Sequence, residues 1–158
     1  MAEKVGPLNG VRAVTCSTAQ AGTVPYMMMA DLGAEVIKVE VPGIGDGSRT
    51  AGELRGDISS FFETNNRGVK SITLNLKSEE GQKILHKLVE TADIFGQNFR
   101  PGAAEKNGFG YEELKKINPA LVYVSVSGYG QLGPHSDLPG TDAVGQALGG
   151  ISEAYAGP

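Results

Sequence analysis

Reactive and metal-binding side chains are scarce in this sequence. Its 158 residues include one cysteine, Cys16, and two histidines, His86 and His135. A single cysteine excludes a disulfide bond within these residues and a zinc site built on several cysteines. The histidines lie far apart in the sequence, so they do not have the spacing of a metal site, and no metal is expected. Cys16 lies beside a predicted buried strand, which favours an inert core thiol over a nucleophile.

The sequence also lacks a long hydrophobic run and a strong excess of one charge. No window approaches 18 consecutive apolar residues, so we expect no membrane-spanning segment and no membrane partner. Residues 1–8 lack the apolar core of a signal peptide, which predicts a cytoplasmic protein. The 14 Lys and Arg against 18 Asp and Glu give a net charge of −4, which argues against nucleic acid as the main partner.

Glycine, in contrast, is abundant, and the remaining composition is ordinary. The 23 glycines are about twice the average usage of ~7%, and many fall in short clusters at residues 43–47, 128–133 and 145–150. Such clusters allow backbone to approach backbone or a ligand closely, although the loops of an α/β domain would also contain them. With 40% hydrophobic and 20% charged residues, the chain is expected to form one globular domain.

Predicted strands alternate with predicted helices along the chain. β-Branched and apolar runs predict strands at residues 11–15, 35–41, 71–76, 94–98 and 121–127. Apolar periodicity and capping residues predict helices at residues 19–33, 78–92, 111–117 and 143–148. Pro25 predicts a late start or a kink in the first of these helices, and residues 42–58 are predicted to be a loop. The alternation predicts a parallel sheet covered by helices, which binds ligands at the carboxyl ends of its strands.

The loop after the first strand does not carry a dinucleotide fingerprint. Residues 16–22 contain one glycine, Gly22, where Gly-x-Gly-x-x-Gly would need three, and the sequence has no Walker A motif. Other strand ends are more informative, because residues 98–102 place an amide, an aromatic ring and a guanidinium group together. Residues 65–70 and 127–134 add cations, glycines and a tyrosine. Aromatic and cationic side chains at one sheet edge favour an adenine-nucleotide-like ligand, with solvated charges and turn glycines as the alternative.

Several segments together resemble a known family. They are DLGAEVIKVE at residues 31–40, NRG at 66–68, SITLNLK at 71–77, NFRPG at 98–102, SGYGQ at 127–131 and PGTD at 139–142. In this order they are similar to the family III CoA-transferases, a superfamily that includes α-methylacyl-CoA racemase. The similarity extends from about Leu8 to the last residue. It implies a Rossmann-like parallel sheet with helices on both faces, which forms one CoA-binding domain over residues 1–158.

The resemblance also implies a ligand and the residues that contact it. Coenzyme A or an acyl-CoA would be a substrate, with a small carboxylate as the second substrate. The implied CoA contacts are Gln20, Ala21, Leu74, Lys77, Asn98, Phe99, Arg100, Lys106, Ser127, Gly128 and Tyr129. One cationic position of the family falls here on Val41, so phosphate binding would depend on other cations.

The catalytic residue of the family has no match among these residues. In the family, an aspartate attacks the acyl-CoA thioester and becomes an acyl anhydride and then a CoA thioester. That aspartate follows the segment that matches residues 146–150, and Asp137 and Asp142 belong to the preceding motif. We therefore expect the chain to be the N-terminal portion of a transferase, inactive in isolation. Full-length members are interlocked homodimers.

Two alternatives remain open at this point. An acyl-CoA racemase typically carries His before Asp in the PGTD motif as the base for the α-proton, whereas this sequence has Thr141. Thr141 favours the transferase. The missing nucleophile motivates the other alternative, a non-catalytic CoA-binding module or partner subunit.

Overall fold

Strands and helices alternate along most of the chain. The computed structural model describes residues 6–156. In chain order, the elements are β1 (Arg12–Thr15), α1 (Val24–Asp31), β2 (Glu35–Glu40), a 3-10 helix (Gly47–Thr50), β3 (Leu54–Arg55), β4 (Ile58–Ser59), α2 (Ser60–Asn66), β5 (Lys70–Thr73), α3 (Glu79–Val89), β6 (Ile94–Gln97), α4 (Ala103–Lys106), α5 (Tyr111–Ile117), β7 (Val122–Ser125), α6 (Asp142–Leu148) and α7 (Ile151–Tyr155). All five predicted strands are present.

The main sheet is parallel, as the sequence predicts. Its strand order is β5-β2-β1-β6-β7, and β3 and β4 form a separate antiparallel hairpin. Val14 of the central strand β1 pairs with Ile37 of β2 on one side and with Phe95 of β6 on the other. Because the five strands run in the same direction, their carboxyl ends and the loops that follow lie along one edge of the sheet.

Helices pack on both faces of this sheet, because side chains alternate between the faces along each strand. The cluster on one face includes Ala13, Tyr26, Ala30 and Val36. The cluster on the other face includes Val14, Leu85, Val89, Phe95, Phe109 and Leu114. Gly96 of β6 allows α1 to approach the sheet closely, since a Cβ atom there would lie 1.4 Å from Tyr26 Oη. The predicted α/β fold with helices on both faces is therefore confirmed.

Two helix starts follow the expected local chemistry. Ser78 caps α3, and its Oγ accepts a hydrogen bond from the Gly81 N–H at 3.1 Å. The helix ends at Val89, somewhat before the predicted end at residue 92. Helix α1 begins at Val24 with Pro25 in its first turn, so the proline gives a late start and no kink is needed.

The predicted loop at residues 42–58 is more structured than expected. It contains the 3-10 helix and the β3–β4 hairpin, and α2 follows directly. Ser59 starts α2, since its Oγ accepts a hydrogen bond from the Phe62 N–H at 3.1 Å. Helix α2 was not predicted, because its residues 60–66 include a threonine and two asparagines, which have low helix propensity, and only two apolar residues, which are adjacent.

No helix within residues 6–156 has both the length and the apolar composition that crossing a membrane requires. The longest described helix, α3, has 11 residues. The same part of the chain holds no group of three or more His, Cys, Asp or Glu side chains placed to bind a metal ion.

Candidate functional site

A cavity of about 660 Å³ opens at the carboxyl edge of the sheet, and we call it the larger cavity. Loops that follow β1, β6 and β7 form its walls, together with the segment that leads into α6. Seven of the residues implied as CoA contacts line it: Gln20, Ala21, Asn98, Phe99, Arg100, Ser127 and Gly128. Ala19, Phe61, Thr141 and Asp142 also line it, and they are not among the CoA contacts that the resemblance implies.

Asn98 joins two walls of the larger cavity. Its Oδ1 accepts a hydrogen bond from the Thr18 N–H at 2.9 Å, and its Nδ2 donates to the Thr18 carbonyl at 2.8 Å. Gly22 makes room for this amide, since a Cβ atom at residue 22 would lie 2.6 Å from Asn98 Nδ2. The loop after β1 and the loop after β6 are therefore held in fixed relation by one side chain.

Gln97, the last residue of β6, fixes the backbone of Phe99. Its buried side chain accepts a hydrogen bond from the Phe99 N–H at 2.6 Å and donates to Ser125 Oγ at 2.6 Å. The Phe99 ring packs against the Phe109 ring with 5.6 Å between centroids. These contacts hold Phe99 where it lines the larger cavity and a second, neighbouring cavity.

A close approach of two glycines brings the PGTD segment to the larger cavity. A Cβ atom at Gly128 would lie 2.4 Å from the Cα of Gly140, and the reverse distance is also 2.4 Å. Any other residue at either position would push the two segments apart. The approach places Thr141 and Asp142 on the cavity wall, where Asp142 Oδ2 accepts a hydrogen bond from Gln146 Nε2 at 2.7 Å.

The neighbouring cavity has a volume of about 320 Å³, and we call it the smaller cavity. Leu74 and Lys77 line it, and Phe99 separates it from the larger cavity. Val41, where the family has a cationic position, also lines it and supplies no charge. Burial raises the pKa of Cys16, another lining residue, to about 12, so its thiol stays protonated, as expected of an inert core thiol.

Two of the implied CoA contacts line neither cavity. Lys106 is exposed at the end of α4, next to Asn107, which lines the smaller cavity. Tyr129 lies beyond the larger cavity, and its ring centroid is 6.2 Å from that of His135. Within residues 6–156, the ion pairs do not include Lys106, and they do not include Lys77 or Arg100 either, both of which are exposed.

A group of three buried charged residues and one partly exposed arginine lies beside the smaller cavity, which Glu40 lines. We call Lys38, Glu40, Asp46 and Arg49 the charged cluster. Lys38 Nζ forms an ion pair with Asp46 Oδ2 and donates a hydrogen bond to Asn66 Oδ1 at 2.8 Å. Burial lowers the pKa of Lys38, and the pairing with Asp46 offsets only part of this. Burial alone would raise the pKa of Asp46, but hydrogen bonds from Lys38 and Ser48 hold it below its usual range.

Glu40 is the second buried carboxylate of the charged cluster. Its two oxygens accept hydrogen bonds from Arg49 Nε at 2.8 Å and Nη2 at 2.7 Å, from Ser71 Oγ at 2.6 Å and from the Asp46 N–H at 2.7 Å. Burial opposes ionisation of Glu40, but these hydrogen bonds outweigh it and lower its pKa to about 2. The Arg49 guanidinium lies over the Phe62 ring, 3.8 Å from its centroid. Near neutral pH, Glu40 is therefore ionised, and both of its oxygens accept hydrogen bonds from neighbouring groups.

The sequence analysis did not identify the charged cluster, although the sequence contained a signal for it. Lys38 and Glu40 are two residues apart in a strand whose residues 36, 37 and 39 are apolar, so their side chains share one face of the sheet. Asp46 and Arg49, of opposite charge, follow eight and nine residues later. Charges on the buried face of a strand with complementary charges in the next loop indicate internal ion pairs.

Comparison with known sequences finds CoA-transferases that match nearly the whole of this chain. The family model described as CoA-transferase family III matches residues 8–158. The acetyl-CoA:oxalate CoA-transferase of Acetobacter aceti is 44% identical over 157 residues, which are 99% of this chain and 40% of that protein. The human succinyl-CoA:glutarate CoA-transferase is 43% identical over 148 residues, which are 93% of this chain and 34% of that protein.

Solved structures match in the same region. The Rv3272 protein of Mycobacterium tuberculosis superposes with a TM-score of 0.90 at 38% identity, over 98% of this chain and 44% of that one. A CaiB/BaiF family protein of Brucella suis superposes with a TM-score of 0.87 at 40% identity, over 92% of this chain and 40% of that one. The chain thus spans well under half the length of the relatives it matches.

Proposed function

This chain belongs to CoA-transferase family III, and on that basis we propose that it provides most of a CoA-binding site to an enzyme that transfers CoA between an acyl-CoA and a carboxylate. The main support is that seven of the family-implied contact residues, from three separate segments, surround one cavity at the carboxyl edge of the sheet. Two further contact residues, Leu74 and Lys77, line the smaller cavity, and Phe99 lines both cavities.

The two cavities suit different parts of CoA. The smaller cavity is flanked by Leu74 and the Phe99 ring, which suit a planar base. The phosphates would pair with exposed cations at the rim of this cavity and beyond it, namely Lys77, Arg100 and Lys106. The larger cavity presents backbone of the loops that follow β1 and β7, along which the pantetheine arm would extend towards Thr141.

In the proposed reaction, this chain binds and orients the thioester, and an aspartate outside these 158 residues attacks it. The aspartate oxygen bonds to the acyl carbon, the C–S bond breaks, and CoA leaves as the thiolate. The thiolate then attacks the aspartyl carbonyl of the anhydride, which forms an aspartyl-CoA thioester and releases the first carboxylate. The second carboxylate repeats these two steps in reverse order and leaves as its CoA thioester.

An acyl-CoA racemase is the less supported alternative. A racemase needs a base at the α-proton, and Thr141 lines the larger cavity at the position where His would be expected. Neither described histidine lines either cavity: His86 Nε2 lies 2.8 Å from the Gly108 carbonyl oxygen, and His135 lies beside Tyr129.

Calorimetric titration of CoA into this chain and its Arg100→Ala variant tests the proposal. Loss of a charged contact to a phosphate should weaken binding by about ten- to a hundredfold, equivalent to about 1.5–3 kcal/mol. Arg55→Ala, in β3 and away from both cavities, is the matched control and should bind as the wild type does. Equal affinities for wild type and Arg100→Ala would contradict this assignment, and no binding by the wild type would contradict the proposed function.

A further inference from the structure

The wall of the larger cavity contains a residue in an unfavourable backbone conformation. Ala19 has a φ of 58°, and within residues 6–156 it is the one non-glycine residue with positive φ. This region is unfavourable for an alanine, because it brings the Cβ atom too close to the following carbonyl oxygen, so other contacts must hold the residue there. Gln20 and Ala21 follow directly and line the cavity with it.

Two side chains hold the backbone of Ala19 on opposite sides. The Ala19 N–H donates a hydrogen bond to Asp46 Oδ1 at 3.3 Å, and the Ala19 carbonyl accepts one from Thr23 Oγ1. Thr23 is the residue directly before α1 and close to Ala19 in the chain, whereas Asp46 comes from the loop after β2. Asp46 is therefore a long-range contact to this wall of the cavity.

Asp46 is itself fixed on every side. It is 1% exposed, and its carboxylate accepts hydrogen bonds from the Ser48 N–H at 2.9 Å and Ser48 Oγ at 2.8 Å, besides the ion pair with Lys38. Its own N–H donates to Glu40 Oε2 at 2.7 Å, and Glu40 lines the smaller cavity. Asp46 lines neither cavity, so any effect on a ligand must pass through the residues it holds.

We propose that Asp46 is a positioning residue for CoA binding: its carboxylate, paired with Lys38, holds Ala19 in the left-handed conformation that places Gln20 and Ala21 on the wall of the larger cavity. This inference rests on the proposed function. Buried ion pairs commonly contribute little to stability. The proposal gives the charged cluster a second role, in ligand binding.

The first test measures CoA affinity by calorimetry in Asp46→Asn. The variant keeps the shape of the side chain but removes the charge that Lys38 pairs with, and we expect about tenfold weaker binding. Glu35→Gln is the control, because Glu35 is a carboxylate of β2, the strand that contains Lys38, and pairs with Arg12 and Lys70 away from both cavities. Its affinity should equal that of the wild type.

The second test separates positioning from general support of the fold. Ala19→Gly removes the cost of positive φ, so the double variant Asp46→Asn/Ala19→Gly should recover about threefold in affinity relative to Asp46→Asn. A role confined to stability would give no such recovery. Hydrogen exchange in the wild type gives a measurement that needs no variant: the Ala19 amide should exchange far more slowly than a freely exposed amide.

The outcomes distinguish the two proposals. If the wild type binds CoA and Asp46→Asn binds equally well, this inference is wrong and the proposed function stands. If Ala19→Gly gives no recovery, or the Ala19 amide is unprotected in the wild type, the inference is also wrong. If the wild type does not bind CoA, the proposed function fails and the positioning role fails with it.

Discussion

The two sides of the two cavities are held by different chemistry. On the β2 side, the charged cluster fixes the loops through directed hydrogen bonds and ion pairs. On the β6 and β7 side, aromatic rings pack together with 5.5–6.2 Å between centroids: Phe95, Phe99, Phe109 and Tyr123. Directed polar contacts define positions sharply but depend on ionisation, whereas ring packing depends on shape and is insensitive to pH. The comparison predicts that the two sides will respond differently to substitution and to acid.

Catalysis provides the largest expected effect, because the proposed reaction takes its nucleophile from outside these 158 residues. Glu40 accepts hydrogen bonds from Arg49 and Ser71, and Asp142 belongs to a motif that precedes the aspartate of the proposed mechanism. We expect these 158 residues alone to show no CoA exchange between succinyl-CoA and free carboxylates, and no acyl-enzyme trapped by hydroxylamine. Exchange that Asp142→Asn abolishes would contradict this and make Asp142 the nucleophile.

The aromatic side should be the more sensitive to loss of volume. Phe95 is fully buried between the rings of Phe109 and Tyr123, so Phe95→Ala should lower the free energy of unfolding by about 3–5 kcal/mol. Urea unfolding followed by circular dichroism measures this. Tyr155→Ala, an aromatic residue that is 87% exposed, should change it by less than about 0.5 kcal/mol. A Phe95→Ala midpoint equal to that of the wild type would show that the rings do not hold this side.

The charged side should be the more sensitive to acid. Glu40 has its pKa lowered from 4.5 to about 2 in the folded protein, so its ionised form stabilises the fold above pH 4.5. That stabilisation, roughly 2–4 kcal/mol, is lost as the pH falls from about 5 to 2. Asp46, whose pKa is also lowered, changes in the same direction.

Urea unfolding of wild type and Glu40→Gln at a series of pH values measures this effect. The variant should be less stable than the wild type at pH 7 and should lose less stability on acidification. Glu79→Gln removes an exposed ion pair with Lys83 and should keep the pH dependence of the wild type. If the free energy of unfolding of Glu40→Gln fell as steeply with decreasing pH as that of the wild type, other groups would be the origin of the acid sensitivity.

The contrast between the two sides also explains which features could be predicted from the sequence and which could not. The strands and the edge that carries the cavities were predictable, because apolar runs and the β/α alternation are local patterns. The sequence predicted that β5 and β7 end at residues 76 and 127, later than they do. A strand continues only as far as it pairs with a neighbouring strand, and such pairing is not visible in the sequence of one strand. The last pairs of these strands are Thr73 with Glu40 and Ser125 with Gln97.

The charged cluster was harder to predict for a different reason. Lysine and glutamate are seldom buried, so their residue types favour an exposed position for Lys38 and Glu40. Their burial depends on partners contributed by the loop after β2, by α2 and by β5, and those partners meet only in the folded chain. The positive φ of Ala19 was equally hidden, since the residue type gives no indication of it.

The smallest expected effect compares one exposed cation on each side of the smaller cavity. Lys77 follows β5 and lines that cavity, whereas Lys106 ends α4 and lies outside it. Because a lysine ammonium is a single point charge, whereas the Arg100 guanidinium can bind a phosphate through two hydrogen bonds, each change to Ala should weaken CoA binding by only about two- to fivefold, and the loss should shrink at high salt. Calorimetry at two salt concentrations measures this, with Lys115→Ala, which lies over the Tyr111 ring, as the control. A loss in Lys77→Ala alone would confine the phosphates to the rim of the smaller cavity. Equal losses in both variants would extend them past Asn107 to the end of α4, and no loss in either would leave Arg100 as the main phosphate contact.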